Sequence, residues 1–197
     1  MASSETLQKI ATRLQLANTD LEILLTKNPT PEFEVIKAEQ FRFIADWYHY
    51  AILELVSLKE FNSSMPWIAQ RLSISEKTAA IAVGRLLSLG LLKSDKKGKI
   101  VGLSANATSV VPQGPTAASK EHERQVLEAA KQALEDISIE HRMQSSMTLA
   151  IPMSRVPEAK EKIRKFRREL TASLQRPGDR DAVYQLSISF FPLTNTK

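Results

Sequence analysis

The segment from residue 65 to residue 103 constrains the fold most, because residues that start and end helices recur in it at short intervals. Pro66 suits the first turn of a short helix. A tight turn follows, and Ser75 at its end is a suitable N-cap for a longer helix over residues 76–89. Gly90 then suits the left-handed residue that often ends a helix.

A hairpin and one more helix complete this pattern. Two short runs typical of strands, residues 91–93 and 100–103, flank a charged turn and predict a two-stranded hairpin. Upstream, Asp46 is a suitable N-cap for a helix that is apolar around most of its circumference and is therefore expected to be largely buried. Three helices, a tight turn and a hairpin in this order predict a winged helix-turn-helix domain over residues 32–103.

Residues 1–31 are predicted to form helices and a linker. Apolar residues recur at steps of three and four over residues 4–27, as on one face of a helix. The pattern fits one continuous helix with a short coiled-coil seam, or two helices broken near Asn18. We favour the break, because Thr19 and Glu22 form a capping box. Two prolines then make the linker stiff.

A second domain is predicted after a linker over residues 104–119, which are poor in large apolar side chains and contain two prolines. Residues 120–197 alternate helical and strand patterns, which is typical of a small α+β domain. The fold class is therefore α+β and mainly helical. The predicted elements of this domain are a helix over 120–135, a strand over 146–151, a helix from Pro157 to about residue 174, and a strand over 182–193.

Composition and charge exclude several classes of protein. The absence of cysteine rules out disulfide frameworks, cysteine-based zinc sites and cysteine nucleophiles. The beginning of the sequence lacks the basic stretch and apolar run of a signal peptide, so we expect a cytoplasmic protein that does not enter a membrane. A net charge of +5 is compatible with nucleic acid as a partner without requiring it.

Cations suited to DNA are concentrated in the predicted hairpin. Among the early exposed positions of the second helix, only Lys77 is a good donor to DNA, whereas Ala80 and Ile81 carry no polar group. Lysines on phosphates would add salt-dependent affinity. The alternative, that the hairpin tip is simply solvated, is about equally well supported. The hairpin lysines are Lys93, Lys96, Lys97 and Lys99.

Two further surfaces have alternative interpretations. The helix after Pro157 carries six basic residues, but we favour internal pairing with its glutamates over contact with phosphate. In the helix over 76–89, five successive small or apolar residues cannot all face one core. We therefore predict that Ala80 and Ile81 form an interaction surface, covered by the C-terminal domain, the N-terminal helices or a second subunit.

An enzyme is not expected, and neither a cofactor nor a metal is predicted. The three histidines, His49, His122 and His141, lack metal-ligand spacing, and glycine-rich phosphate loops are absent. His49 lies one turn from Asp46, a familiar catalytic pairing. A histidine in an aromatic helix is, however, far more often a packed residue, and this is the interpretation we favour.

Four stretches resemble an uncharacterised winged-helix family of Bdellovibrio and Fibrobacter type bacteria, a domain of unknown function. They are DWYHYAILEL at 46–55, WIAQRL at 67–72, RLLSLGLL at 85–92 and the closing VYQL to FPLT at 183–194. The resemblance implies a relative of transcription regulators. Longer members carry an extra helix-turn-helix module, and residues 5–25 are similar to only its tail.

The expected function is that of a transcription-regulator-like protein that either binds double-stranded DNA weakly or has lost that role. The alternative is a non-enzymatic protein–protein interaction module whose winged helix no longer binds DNA. A protein partner or a homodimer is also expected. The seam over residues 7–24 and the edge of the final strand are the surfaces best suited to it.

Overall fold

A computed structural model describes residues 33–35, 43–102, 108–110, 116–174 and 180–195. The helices predicted over residues 4–27 lie outside these ranges. Within the described residues the chain is mainly helical. The helices are α1 (Trp47–Leu55), α2 (Met65–Leu72), α3 (Glu76–Ser88), α4 (Ala117–Asp136) and α5 (Val156–Leu174), with a 3-10 turn at Met153–Arg155.

The described strands form two pairs. Strands β2 (Leu92–Ser94) and β3 (Ile100–Gly102) are antiparallel, with Lys93 opposite Val101, so the predicted hairpin is confirmed. Strands β1 (Phe33–Val35) and β4 (Thr108–Val110) are parallel. The segment 104–119, predicted as a linker, thus contains β4 and the first residues of α4.

Local caps explain where the helices begin and end. The Ser75 side chain accepts a hydrogen bond from the Thr78 backbone N–H at 3.0 Å, which confirms the predicted N-cap of α3. Ser73 has φ 52° and Gly90 has φ 70°. A residue in the left-handed conformation therefore follows the C-terminus of both α2 and α3 and ends the helix. The fourth helix begins at Ala117 rather than residue 120, because the Thr116 side chain accepts from the Ser119 N–H at 3.1 Å.

Asp46 occupies the predicted N-cap position of α1, but its side chain makes no capping hydrogen bond. The predicted capping role of its carboxylate is therefore wrong. The carboxylate instead accepts hydrogen bonds from Tyr48 and from Gln125 of α4. These two bonds direct the carboxylate oxygens toward Tyr48 and α4, away from the N–H groups of the first turn of α1.

The hydrophobic core lies among α1, α2, α3 and the β2–β3 hairpin, which we call the head (residues 44–102). Helices this short are not stable alone and depend on burying a shared apolar face. Ile52, Ile68, Leu86 and Leu92 are almost completely buried there. The first half of α4 docks on the head, where Val126 is buried.

Beyond α4 the structure departs from the sequence predictions. Residues 146–151 and 182–193 contain no paired strand, so both predicted strands are wrong for this described part of the chain. An alternating pattern supplies strand propensity, but a strand requires a neighbour to receive its backbone hydrogen bonds. The predicted helix after Pro157 is present as α5, although none of its residues is buried. Within the described residues, none of the helices combines the length and apolarity needed to cross a membrane.

Candidate nucleic-acid interface

The turn of the hairpin is organised by Asp95. One of its carboxylate oxygens accepts from the backbone N–H groups of Lys97 and Lys99, each at 2.8 Å. The Asp95 N–H in turn donates to the Lys99 carbonyl at 2.9 Å, and Gly98 has φ 78°. The single opposing charge of the hairpin is therefore used by backbone groups rather than by lysine side chains.

The lysine ammonium groups of this hairpin are exposed and can contact a partner. Lys93, Lys96, Lys97 and Lys99 are all exposed, and none of their ammonium groups makes an ion pair or hydrogen bond with the described residues. A cluster of like charges without internal neutralisation attracts an anionic partner.

An open groove of about 550 Å³ lies beside the hairpin. Lys97, Gly98 and Lys99 form one wall, and the loop between α1 and α2 forms the other. That loop places Lys59 beside the same groove as the two hairpin lysines. Lys59 was not among the residues predicted from the sequence. Asn62 and Ser63 of this wall carry polar groups that can bind phosphate oxygens, whereas Glu60 adds a negative charge. The loop residues that line the groove are Lys59, Glu60, Phe61, Asn62 and Ser63.

Two contacts hold this loop in place. The Phe61 ring packs edge-to-face against Trp67 of α2, with centroids 5.7 Å apart. The Lys59 backbone N–H donates to the Arg180 carbonyl at 3.0 Å. One wall of the groove is thus fixed by the head and by the segment that follows α5.

Helix α3 presents a different surface. Lys77 and Ala80 are exposed and Ile81 is 47% exposed, so no described residue covers this face. Lys77 does not line the groove, and neither do Lys93 and Lys96. The interaction surface at Ala80 and Ile81 stays a prediction, since the described chain provides no cover for it.

The basic residues of α5 are arranged in the opposite way to the hairpin lysines. Glu158 bonds with Arg155 at 2.9 Å and with Lys162 at 2.9 Å. The hydrogen bonds from Arg155 and Lys162 lower the pKa of the Glu158 carboxyl to about 2. Further pairs join Arg164 and Arg168 to Glu161, and Lys165 to Glu169. Internal pairing of this helix, the favoured interpretation, is confirmed for these residues.

A polar junction joins α1 to α4. The Gln125 amide donates to one Asp46 oxygen at 3.0 Å, and its carbonyl accepts the Trp47 N–H at 3.1 Å. Tyr48 donates to the other Asp46 oxygen at 2.8 Å. Burial alone would raise the pKa of Asp46, but the hydrogen bonds from Gln125 and Tyr48 bring that pKa below its usual value. Burial and the Asp46 bond raise the pKa of Tyr48 to about 12.

His49 is a core residue rather than half of an accessible catalytic pair. It is fully buried. Its Nδ1 lies 3.2 Å from the backbone carbonyl oxygen of Asp46, so the ring contacts the main chain of Asp46 instead of its carboxylate. Burial lowers the pKa of His49 below its usual value. His122 of α4 packs its ring edge-to-face on Tyr50 and bonds the Ala45 carbonyl at 2.8 Å. Within the described ranges, no group of three His, Asp or Glu side chains could hold a metal ion.

The structure therefore brings together only part of the predicted set. Lys97 and Lys99 meet Lys59 at one groove, whereas Lys77, Lys93 and Lys96 lie outside it. No feature of the sequence marks Lys59, since its loop lies about forty residues from the hairpin. Its position is set by the packing of Phe61 on Trp67 and by the hydrogen bond to the Arg180 carbonyl.

Comparison with known proteins finds one family model. It is described as a domain of unknown function, DUF4423, and it matches residues 27–193, which include the head, α4, α5 and the following segment. No curated protein and no solved structure matches the chain.

Proposed function

The chain belongs to the DUF4423 family, and we propose that it is a winged-helix protein that binds duplex DNA through its hairpin, in the manner of a transcription regulator. The proposed role is binding rather than catalysis. The order of elements supports the winged-helix interpretation, because three packed helices are followed directly by an antiparallel hairpin.

The observation that carries the proposal is the group of exposed hairpin lysines beside one groove. Lys97 and Lys99 line this polar, solvent-open groove together with Lys59 and one acidic residue, Glu60, whereas the Asp95 carboxylate of the hairpin serves backbone N–H groups. Exposed ammonium groups release counterions from DNA when they contact phosphates, which gives affinity that falls steeply with salt.

Phosphate contacts are expected to dominate over contacts with bases. In helix-turn-helix proteins the early residues of the second helix contact base edges. Here Lys77 is the one basic side chain in the first turns of α3, and Ala80 and Ile81 offer no hydrogen bond. Phosphate contacts position a protein on DNA but carry little sequence information, so we expect weak discrimination between sequences.

A salt titration tests the proposal. Binding of a fluorescent duplex of about 20 base pairs is measured at several salt concentrations, first with the unchanged chain. Replacing Lys96, Lys97 and Lys99 by glutamine should reduce the slope of log affinity against log salt by about 2–3, since each phosphate contact contributes about 0.9. The single substitution Lys59→Gln should reduce the slope by about one.

A matched control removes the same charge elsewhere. Replacing Lys160, Lys162 and Lys165 of α5 by glutamine changes the net charge equally, yet two of these lysines already pair with glutamates. This variant should keep the original slope. Equal losses in both triple variants would mean that net charge alone attracts DNA, and the hairpin would have no special role.

A second candidate function is a protein–protein interaction module. It is favoured by the exposed face of α3, where Ile81 is 47% exposed beside Ala80 and Gly84. A Cβ added at Gly84 would have no atom within 4 Å, so no described neighbour covers this face. Failure of the unchanged chain to bind duplex DNA at low salt would favour this second function.

A further inference from the structure

Exposed apolar side chains are concentrated in the C-terminal half. Of the large hydrophobic residues that the structure describes as exposed, all but Phe43, Ile81 and Val101 come after residue 126. Several lie on the two segments predicted as strands, residues 146–151 and 182–193. Exposed apolar surface of this extent is typical of an interaction site.

The final segment has the form of a strand without a neighbour. Between residues 182 and 192, all of which the structure describes, there is no helix, turn or bend. No backbone–backbone hydrogen bond joins these residues to the described part of the chain, and the Leu186 carbonyl accepts from the neighbouring Gln185 side chain. An extended run whose backbone groups have no strand partner is a template for pairing with another chain.

The side chains of this segment alternate regularly. Tyr184, Leu186, Ile188 and Phe190 share one face of an extended chain, and the residues between them are Gln185, Ser187 and Ser189. There is no charged residue from 182 to 196. Two copies of this segment can therefore approach without repulsion between like charges, although the chain as a whole carries +5.

We propose that residues 184–190 pair antiparallel with the same residues of a second copy of this chain, about a two-fold axis at Ser187. In this register Leu186 lies opposite the partner's Ile188. Tyr184 lies opposite the partner's Phe190, an aromatic pair of the kind that stabilises antiparallel strands. A two-fold interface must be self-complementary, and this segment is so because its apolar positions are symmetric about Ser187.

The final segment alone supplies most of the area that a dimer needs. Its six large apolar side chains, from Tyr184 to Leu193, are between 38% and 74% exposed. At about 150–250 Å² per aromatic side chain, and the lower end of that range for the aliphatic ones, they offer roughly 600 Å² per chain. A specific interface buries about 800 Å² on each partner.

A single-cysteine crosslink tests the register, because the natural sequence has no cysteine. In the proposed pairing, Ser187→Cys faces the same residue of the partner at a Cα separation of about 4.5–5.5 Å, within the range of about 4.4–6.8 Å that disulfides require. The matched control is Ser189→Cys on the same polar face. Its distance from the partner's equivalent residue is about 13 Å, four residues along the strand.

The expected result is a disulfide dimer for Ser187→Cys at a yield at least about fivefold above that of Ser189→Cys, since the control pair is beyond disulfide reach. Sedimentation of the unchanged full chain should show a dimer without DNA, so failure of DNA binding would leave this result unaffected. Ile188→Asp should give a monomer, whereas Ser189→Asp should remain a dimer.

Three outcomes would overturn the proposal. The first is a monomer at all concentrations for the unchanged chain, as expected if residues 146–151 pair with the final segment within one copy. The second is equal crosslinking of the two cysteine variants. The third is a dimer in which neither variant crosslinks, which would place the interface elsewhere. In each variant, tryptophan fluorescence during thermal unfolding checks that the head, which contains Trp47 and Trp67, is folded.

Discussion

The head and the C-terminal half carry similar amphipathic patterns but bury them very differently. Leu86 of α3 is completely buried, whereas Leu174 of α5 is 73% exposed, although each lies on the apolar stripe of its own helix. The difference shows that an apolar stripe specifies which face of a helix can be buried. Whether that face is buried depends on a second element placed against it.

Chain connectivity explains why the apolar faces of the head are buried. Short connections join α1, α2, α3 and the hairpin, so each apolar face meets the next within a few residues of chain. In the C-terminal half, α5 lies between two segments that form no strand pair in the described chain. Its stripe is consequently covered only in part, with Ile163 and Leu170 half-buried.

The largest effect is expected from truncating matched leucines in the two regions. Leu86→Ala should lower the free energy of unfolding of the head by about 2–5 kcal/mol, because it leaves a cavity in a packed core. Leu174→Ala should change it by less than about 0.5 kcal/mol, as exposed substitutions do. Urea unfolding followed by tryptophan fluorescence measures both. Similar losses would mean that the two regions share one core.

An intermediate effect should define where the head ends within α4. Gln125→Ala removes hydrogen bonds to Asp46 and to the Trp47 N–H, so it should cost about 1–3 kcal/mol of head stability. The control is Gln132→Ala, since among the described residues Gln132 bonds to Asp136, one turn further along the exposed second half of α4. Its cost should be below about 0.5 kcal/mol. If both variants unfold at the same urea concentration, α4 does not stabilise the head through this junction.

The smallest effect near neutral pH should come from His49. Burial lowers its pKa in the folded head, so the unfolded chain binds a proton at a higher pH than the folded chain does. Stability should therefore fall as the pH drops below about 6.5, with a slope of at most about 1.4 kcal/mol per pH unit. Asp46, whose pKa is lowered, adds a loss at more acidic pH, below its usual value of 3.8.

No matching loss is expected from the charge pairs of α5 over that range. Glu158 has a pKa of about 2, held low by its hydrogen bonds with Arg155 and Lys162, so it stays ionised well below pH 5. Urea unfolding of the head between pH 7 and pH 5 measures the His49 effect, and an NMR titration of the imidazole identifies its source. An unchanged slope in His49→Gln would assign the effect to another group.

Predictions from sequence were most successful where a structure depends on near neighbours. The Ser75 cap, the left-handed Gly90 and the β2–β3 hairpin were all predicted, and all are present. Each depends on contacts within a few residues, which the order of residue types largely determines. The same holds for the glutamate pairs of α5, because residues three or four apart on a helix are always neighbours.

The features that sequence reasoning missed depend on distant contacts. Asp46 had the residue type and the position of an N-cap, yet Gln125, 79 residues away, takes its carboxylate. Lys59 and Lys99 share a groove because Phe61 packs on Trp67 and the Lys59 N–H bonds to the Arg180 carbonyl. The strands predicted over 146–151 and 182–193 had the right alternation but no pairing partner in the described chain.

The sequence alone therefore determined the helices of the head, the Ser75 cap of α3, the hairpin and the positions of its lysines. Tertiary structure decided which apolar faces are buried, which carboxylates remain available to cations, and which loop completes the groove. The physical reason is the distance along the sequence between the residues that interact. Caps, turns and pairs within a helix are set by residues a turn apart, whereas burial and charge neutralisation depend on where distant segments meet in space.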